Sequence, residues 1–536
     1  MTAAELLIGP LLRQVVGSQA TIWVEVSQPA TVTVRAGAAQ GQTETFSAYG
    51  HHYALVVVEG LAAGSPVPYQ VALDGQLVWP EAESTFPPST IRTRVDPAAP
   101  VELVFGSCRE ATARTSSRNL PPDALDAYAQ RLATGSDRPD LLVLLGDQVY
   151  ADETSPGVRR RLRKRRRPAH APTDQVMTFD EYAILYHESW RDPEIRWLLS
   201  TVPSVMIFDD HEIIDDWNSS AAWRRDIRDL PWWSERISNG LSSYWIYQHL
   251  GNVAPADVAT DPVFTAVTAA AADATDALRE FAARADAGDY RFSYTHRIGA
   301  TRLVMVDNRV GRVLTPGQRS MLPERDWHWL EQVMAEPADH LVIGSSLPWL
   351  MPPAVHHLEA WTERLADSPR PVARWVGEGL RRAVDLEHWP AFQAAFEQLA
   401  GLLRERSTAT DGPASLNVLS GDVHHSYVAQ ALLGGTHRPV HQLTCSPLYN
   451  QVPAVMRPLL RLGWGPVLRR AARMLARSAG VTRSSVRWRR LAGPYFGNAV
   501  STLTLAGRSA TVRIEGTRKG GDLRTVAELT LTDKPR

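Results

Sequence analysis

The segment Leu141-Leu142-Val143-Leu144-Leu145-Gly146-Asp147-Gln148-Val149-Tyr150 carries the strongest indication of the architecture. Five consecutive apolar residues predict a strand that is buried on both faces, as in the parallel sheets of α/β proteins. Gly146 then allows the backbone to turn sharply. Asp147 follows directly, at the carboxyl end of the strand, where open α/β sheets bind their ligands.

Similar apolar runs recur along the chain from residue 101 onward and alternate with helical stretches. These runs are Val101–Phe105, Val205–Phe208, Leu303–Val306, Leu341–Ile343 and Leu416–Leu419. The alternation predicts an α/β layered domain. Several runs end in Gly or Ser followed by Asp, His or Cys, so we expect these polar side chains to gather at one edge of the sheet.

The first 95 residues or so have a different pattern. Short alternating runs are separated by Gly and Pro, namely Thr21–Val26, Thr31–Val34, Tyr53–Val58 and Val67–Leu73. This spacing predicts a small β-sandwich of immunoglobulin or fibronectin type. The segment Pro97–Pro100 is typical of a linker, so we expect a first domain over 1–97 and a second over 98–536.

Composition excludes several classes of protein. The 536 residues are 44% apolar and 21% charged, which is typical of a globular protein and not of collagen, a coiled coil or a disordered chain. Lys and Arg number 57 against 58 Asp and Glu, so a globally basic nucleic-acid binder is disfavoured. The two cysteines exclude a disulfide framework. No apolar run has the length of a membrane span and no export signal is recognised, so a cytoplasmic location is expected.

Two strand ends carry side chains suited to metals. Cys108 follows Val104–Ser107, and a thiolate there would be a strong ligand for iron or zinc; the alternative is a small buried residue. Asp147 offers two oxygens that can bridge two cations, or alternatively it caps a helix. Tyr150, three residues further on, is placed to bring its phenolate to the same metal.

Two further strand ends complete the pattern. Asp209-Asp210-His211-Glu212 places four ionisable groups directly after a buried strand, which is costly unless they bind a metal or form a salt-bridge cluster. Asp422 and His424 are two residues apart, a spacing that can aim both at one centre. Thiol, carboxylates and imidazoles from separate strand ends are the ligand set of a two-metal hydrolase.

The order Cys, Gly-Asp-x-x-Tyr, Asp-Asp-His-Glu and Gly-Asp-x-His resembles the calcineurin-like metallophosphoesterases, and within them the PhoD-like alkaline phosphatase branch. The resemblance implies an αββα sandwich preceded by the small β-sandwich. It implies His211 as the catalytic histidine and Arg309, in Asp307-Asn308-Arg309, as a residue that orients phosphate oxygens. The metal ligands that it implies are Cys108, Asp147, Tyr150, Asp210, Asp422 and His424.

The resemblance also implies an activity and cofactors. Thiolate and tyrosinate favour Fe(III), and a second, oxygen-rich site would accept Ca, or alternatively Mn or Mg. The expected reaction is hydrolysis of a small phosphate ester by a metal-activated water. Alternatives are a phosphodiesterase or phospholipase on the same site, a binding protein with a degenerate site, and a nucleic-acid binding module, for which the sequence gives no strong signal.

Two Arg-rich insertions lie outside these motifs. Arg159–Arg167, within an insertion near 155–172, has eight cations in nine residues, and 451–490 has ten arginines and no acidic residue. We expect the first to be a solvated loop or a steering patch for anions. The second predicts an amphipathic helical pair over Pro458–Arg477 that packs on the main domain, or alternatively acts at a membrane surface or as a lid.

Overall fold

The computed structural model describes residues 3–112, 114–116, 119–165, 167–168, 170–383, 386–435 and 438–532. Its strands are β1 Leu6–Val16, β2 Gln19–Val26, β3 Thr31–Ala36, β4 Ala39–Glu44, β5 Phe46–Ala48, β6 His51–Val58, β7 Val67–Leu73, β8 Gln76–Trp79, β9 Thr90–Ile91, β10 Val101–Gly106, β11 Leu141–Leu145, β12 Ser204–Ile207, β13 Tyr294–Ile298, β14 Thr301–Val306, β15 His340–Ser345, β16 Ser415–Ser420, β17 Ser426–Leu432, β18 Val440–Thr444, β19 Arg487–Tyr495, β20 Ala499–Ala506, β21 Ser509–Thr517 and β22 Leu523–Thr530.

The helices lie between β10 and β19 along the chain. They are α1 Ala124–Ala133, α2 Pro156–Leu162, α3 Phe179–Trp190, α4 Pro193–Thr201, α5 Ala221–Arg228, α6 Trp233–Tyr244, α7 Pro262–Thr268, α8 Thr275–Asp286, α9 Glu324–Ala335, α10 Pro353–Ala366, α11 Pro371–Ala383, α12 Gln393–Thr408, α13 Met456–Leu462 and α14 Pro466–Ser478. None of the helices in the described ranges is both long and apolar enough to cross a bilayer.

Residues 3–91 form two small antiparallel sheets. One has the order β1-β2-β6-β5 and the other β4-β3-β7-β8, with β9 paired to β7. Alternate side chains such as Ile22, Val24, Val56 and Val71 fill the space between the sheets and are fully buried. A small β-sandwich was predicted here, and the structure contains one.

Two larger sheets form the core of the second region. Their orders are β12-β11-β10-β20-β21-β22 and β13-β14-β15-β16-β18-β17-β19. Along β11, Leu141, Val143 and Leu145 face the core between the two sheets, whereas Leu142 and Leu144 face the helices outside. Both faces of the strand are therefore buried, which explains its unbroken apolar sequence. The arrangement is the predicted αββα sandwich.

The small sandwich is attached to the large one through buried polar and aromatic contacts. Arg13 of β1 is fully buried and its Nε donates a hydrogen bond to the carbonyl of Ser204, the first residue of β12, at 3.1 Å. Its other nitrogens donate to the carbonyls of Tyr247 and Gln248 at 3.1 and 2.8 Å. Since an unpaired buried guanidinium would be costly, these bonds fix the small sandwich against the strand that leads to Asp210.

The two Arg-rich segments are more ordered than their composition suggests. The solvated loop expected at Arg159–Arg167 is wrong for its first part, because α2 extends to Leu162. Arg167 is half-buried and packs against the buried Glu181, with Nη1 donating to Oε2 at 2.9 Å, while residues 166 and 169 lie outside the described residues. The helical pair expected over Pro458–Arg477 is present as α13 and α14, and Ala476 of α14 packs against Ala360 of α10.

Candidate active site

The predicted polar motifs meet at one edge of the two large sheets. Cys108 follows β10, Asp147 follows β11 and Asp210 follows β12, while Asp422 follows β16 of the other sheet. Strands β10, β11 and β12 are parallel, as are β14, β15 and β16, so their carboxyl ends coincide. The fold thereby brings the thiol of Cys108 within 3.6 Å of the carbonyl oxygen of Asp422, 314 residues away.

Four of the predicted ligands have backbone dihedrals that residues with a side chain rarely adopt. The φ angle is +59° at Cys108, +55° at Asp147, +64° at Asp422 and +49° at His424. Each such residue costs on the order of 1 kcal/mol or more, and such residues concentrate at functional sites because the surrounding structure must hold them. The left-handed turns aim all four side chains away from their strands.

Two side chains hold these turns in place. Glu212 is buried and accepts hydrogen bonds from the amides of Asp147 at 3.2 Å and Asp209 at 3.0 Å. Burial raises the pKa of Glu212 to about 7, against the opposing effect of these bonds. Ser107 accepts a hydrogen bond from the amide of Asp422 at 3.1 Å, so it links the turns of the two sheets. Glu212 and Ser107 therefore position the turns that carry the predicted ligands.

Four carboxylates converge to form what we call the acidic centre: Asp147, Asp209, Asp210 and Asp422. One oxygen of each lies within 4.8 Å of the others, and Asp147 and Asp210 make a second group of this kind with His211. Burial raises the pKa of Asp147 well above its usual range, and the neighbouring Asp209 raises it further. Since buried like charges repel, this arrangement favours the binding of cations.

Cys108 and Tyr150 lie on one side of Asp147. The Cys108 thiol donates to Oδ2 of Asp147 at 3.2 Å, and the Tyr150 hydroxyl is 3.5 Å from the same oxygen. Both side chains are buried, and burial raises the pKa of each well above its ordinary value. Asn450 donates to the Tyr150 hydroxyl at 3.2 Å and helps to orient it. Thiol and phenol thus share one carboxylate, and the prediction that Cys108, Asp147 and Tyr150 bind one metal stays a prediction.

His211 lies at the open side of the acidic centre. Its Nδ1 is 2.9 Å from Oδ1 of Asp152, and its ring stacks on Tyr150 with the centroids 4.3 Å apart. Burial disfavours its charge, but Asp152, Asp147 and Asp210 outweigh burial and raise the pKa of His211 well above its usual value. The side chain keeps 14% of its surface exposed, so a charged imidazolium is accessible from the cleft.

Arg309 lies behind the carboxylates and has no exposed surface. Its Nε donates to Asp209 and its Nη1 to Glu387. Its Nη2 is 3.4 Å from Oδ1 of Asp210 and 3.7 Å from Oδ1 of Asp422. The geometry therefore makes Arg309 a counter-ion that positions the carboxylates. The sequence predicted that Arg309 orients phosphate oxygens, but its fully buried position disfavours contact with a substrate phosphate.

His388 is the site residue that sequence reasoning missed. Its Nε2 is 2.9 Å from Oδ2 of Asp422 and its Nδ1 is 2.9 Å from Oε1 of Glu359 in α10. These charges outweigh the effect of burial and raise the pKa of His388 well above its usual range. Glu387 and His388 follow no predicted strand and match no motif, so only the folded structure shows their place.

The remaining candidates surround this group. His424 is half-buried beside Asp422, and its amide donates to Oγ of Ser446 at 3.2 Å. Cys445, interpreted from the sequence as structural, is buried and its thiol donates to the carbonyl of Ala499 at 3.5 Å. The tryptophans expected in the core are at most 5% exposed: Trp217, Trp232, Trp233, Trp245 and Trp349.

Two solved structures resemble this fold over almost the entire chain. One is described as the structure of PhoD; the match has a TM-score of 0.60 and 12% identity, and it covers 99% of this chain and 94% of the other. The second is the purple acid phosphatase PPD1 isolated from yellow lupin (Lupinus luteus) seeds. That match has a TM-score of 0.51 and 12% identity and covers 99% of this chain and 74% of the other. At this identity the likeness concerns the fold alone.

Comparison of the sequence with protein families gives a more specific result. Residues 3–91 match a domain of unknown function, DUF7800, and none of the curated proteins matches the chain. Residues 111–442, more than half of the chain, match the family described as PhoD-like phosphatase. That range contains Asp147, Asp210, His211 and Asp422 with the geometry described above. The chain therefore belongs to the PhoD-like phosphatase family and is a phosphoester hydrolase.

Proposed function

We propose that this phosphatase hydrolyses small phosphate esters at a two-metal centre built on Asp147. The observation that carries the proposal is the convergence of the acidic centre with one thiol and one phenol at the ends of four strands. Cys108, Asp147 and Tyr150 would hold Fe(III). Asp147, Asp210, Asp422 and His424 would hold a divalent cation, Ca or alternatively Mn or Mg.

The donor set of the site fits such metals. Oδ1 of Asp147 and Oδ2 of Asp209 are buried and have no hydrogen-bond partner among the described residues, a costly state for a carboxylate oxygen. Arg309 pairs with both adjacent aspartates, directly with Asp209 and at 3.4 Å with Asp210, and the looser pairing supports Asp210 as the ligand. Bound cations would supply Lewis acidity toward the phosphate and lower the pKa of a coordinated water.

The chain's own residues then divide the remaining work. Arg309 and His388 hold Asp210 and Asp422 in place from behind. His211, charged and facing the cleft, is placed to donate a proton to the leaving oxygen, and Asp152 keeps its Nδ1 side fixed. Ser107 is engaged with the amide of Asp422, which supports a structural role and not that of a nucleophile.

Metal analysis combined with turnover tests this proposal. Protein purified without chelator should contain iron and a divalent metal and should hydrolyse p-nitrophenyl phosphate. Chelation should abolish activity, and restored Fe with Ca or Mn should recover it. Faster turnover of bis(p-nitrophenyl) phosphate would instead support the phosphodiesterase alternative. Protein that stays inactive with every restored metal would contradict the proposal and support a degenerate binding site.

The role of His211 is tested separately. His211→Gln should retain the metals but lower kcat by roughly 100-fold, the usual contribution of a positioned general acid. The loss should be smaller for esters with good leaving groups such as p-nitrophenol than for alkyl phosphates, because only the latter need protonation. An equal loss for both substrates would contradict the assignment of His211 as the acid.

A further inference from the structure

A second cavity of about 440 Å³ lies between α10, α14 and β19, and we call it the basic pocket. Six of its lining residues are arginines contributed by α14, β19 and the segment between them: Arg469, Arg473, Arg477, Arg483, Arg487 and Arg489. The α10 wall adds His356 and His357. A cavity lined by this many guanidinium groups presents the geometry and charge that phosphate groups require.

The positive charge of the basic pocket is not compensated. Among the described residues no Asp or Glu lines it and none of the six arginines forms an ion pair with a carboxylate; Arg489 donates to the amide oxygen of Gln430. Glu397 lies outside the lining and accepts from Ser485. Burial and then the neighbouring arginines lower the pKa of Arg473, which shows that the positive charges of these arginines repel one another.

The α10 wall supplies a buried polar group without a partner. His356 is only 2% exposed, and its Nδ1 has no hydrogen-bond partner in the described part of the chain. His357 beside it has its pKa lowered to about 4, first by burial and then by the nearby arginines. A buried unpaired nitrogen is costly, and an acceptor oxygen in the cavity would satisfy it if Nδ1 carries the proton.

The basic pocket is separate from the catalytic centre. Ser426, two residues after His424, pairs with Tyr495, whereas Leu432 at the other end of β17 pairs with Arg487 and lines the pocket. Six residues of strand separate these ends, a distance of about 20 Å. A ligand in the pocket therefore does not occupy the position of the ester being hydrolysed.

We propose that the basic pocket is a second binding site, for a soluble anion that carries several phosphate groups. Arginines from α14, from β19 and from the segment between them line one cavity, so a compact polyphosphorylated molecule would engage more of them than a single phosphate would. The site is not a substrate site, and its occupancy is independent of the metal ligands of the acidic centre.

Calorimetric titration of the full-length protein with inorganic tripolyphosphate tests the proposal. The titration uses the Asp147→Asn variant as well as the unaltered chain, so that binding or hydrolysis at the acidic centre is separated from binding in the pocket. We expect one binding event that persists in Asp147→Asn and weakens as salt increases. Absence of binding in both proteins, or binding that disappears with Asp147→Asn, would overturn the proposal.

Triple substitutions locate the event. Replacing Arg469, Arg473 and Arg477 by Gln should weaken tripolyphosphate binding by roughly 30-fold, because three charge-assisted contacts are lost. The matched control replaces three exposed arginines outside the pocket by Gln: Arg225, Arg279 and Arg284. Unchanged thermal melting of both triple variants shows that they fold. An equal loss of affinity in the control would overturn the assignment.

A membrane is the competing source of phosphate groups. Val467 and Met474 of α14 are 76% and 71% exposed close to the pocket arginines, so sedimentation with phosphatidylinositol 4,5-bisphosphate vesicles is the second arm. We expect tripolyphosphate to bind with at least the affinity of the vesicles. Vesicle binding without tripolyphosphate binding would overturn the soluble-anion proposal in favour of a lipid surface. The same Arg→Gln variant then tests whether the pocket contacts the headgroup.

Discussion

The acidic centre and the basic pocket are both regions of uncompensated charge, but the chain builds them differently. The acidic centre is largely buried, two of its carboxylates, Asp147 and Asp422, lie on left-handed turns, and Arg309 braces it from behind. The basic pocket is lined by mostly exposed arginines on a helix, a connecting segment and an edge strand. Buried charge requires defined partners, whereas exposed charge is screened by water. Substitutions in the acidic centre should therefore change stability and activity strongly. Substitutions in the basic pocket should change them weakly and should affect mainly ligand binding.

The largest effect is expected at the carboxylate shared by thiol and phenol. Asp147→Asn keeps the shape of the side chain but removes its charge, so the metals should be lost and kcat/KM for p-nitrophenyl phosphate should fall roughly a thousandfold. Elemental analysis and steady-state kinetics measure both. Asp276→Asn, at a fully exposed position of α8, is the control and should retain activity. An active, metal-loaded Asp147→Asn would show that the acidic centre tolerates the loss of this charge.

The next largest effect should distinguish a buried arginine from an exposed one. Arg309→Gln leaves Asp209 buried without its counter-ion and leaves Glu387 with Arg312 alone, so the free energy of unfolding should fall by about 3–5 kcal/mol. Arg469→Gln, in the basic pocket, should change it by less than about 0.5 kcal/mol. Urea denaturation of the metal-free proteins measures both. Similar values for the two variants would remove the distinction between the regions.

Helix α10, which lies between the acidic centre and the basic pocket, should make the free energy of unfolding depend on pH. Glu363 of α10 is buried and accepts from the amide of Gln393, and burial raises its pKa to about 7. Its folded-state pKa exceeds the unfolded value near 4.5, so folding favours the protonated form. Stability should therefore decline as pH rises from about 4.5 to 7, by up to about 3 kcal/mol.

Glu363→Gln should remove that part of the decline. Urea denaturation at a series of pH values compares the variant with the unaltered chain. Glu405→Gln, on the exposed face of α12, controls for the loss of one carboxylate. Parallel pH profiles of Glu363→Gln and the unaltered chain would show that α10 is not sensitive to this proton.

The smallest effect concerns the packing of the ligand turns. A Cβ on Gly421 would lie 2.0 Å from Oγ and 2.2 Å from Cβ of Ser107, so Gly421→Ala should cost about 1–3 kcal/mol and displace Asp422. Adding Ser107→Gly should recover part of the loss. Gly401→Ala in α12, where nothing lies within 4 Å, should instead stabilise slightly. A neutral Gly421→Ala in thermal melting would show that the turns tolerate rearrangement.

Residues whose signal is local were predictable from the sequence. Leu141–Leu145 forms β11 with the bounds expected, because a run of apolar residues between a turn and a Gly-Asp pair specifies a doubly buried strand. Cys108, Asp147, Tyr150 and Asp422 were expected at strand ends, and parallel strands bring their ends together. The resemblance of these motifs to a known family implied roles for these residues, which spacing alone does not give.

Residues placed only by tertiary structure were not predictable. His388 reaches Asp422 from a segment with no strand before it, and Glu359 reaches His388 from the middle of α10. Arg309 was expected to face phosphate, but whether a guanidinium points to a cleft or to buried carboxylates depends on the packing around it. The basic pocket lies between α10, α14 and β19. The sequence indicated the Arg-rich composition of α14 and β19, but not that α10 packs beside them.

The strand β10, which leads to Cys108, is paired on one side with β11 and on the other with β20. About 390 residues separate β10 from β20 along the chain. At a synthesis rate of about 5–20 residues per second, β10 emerges from the ribosome roughly 20–80 s before its second neighbour does. An unpaired apolar edge is an aggregation hazard for that whole interval. The turn at Cys108 is thus among the first parts of this domain to be made and among the last to be enclosed, so we expect its folding to depend on protection of the nascent chain.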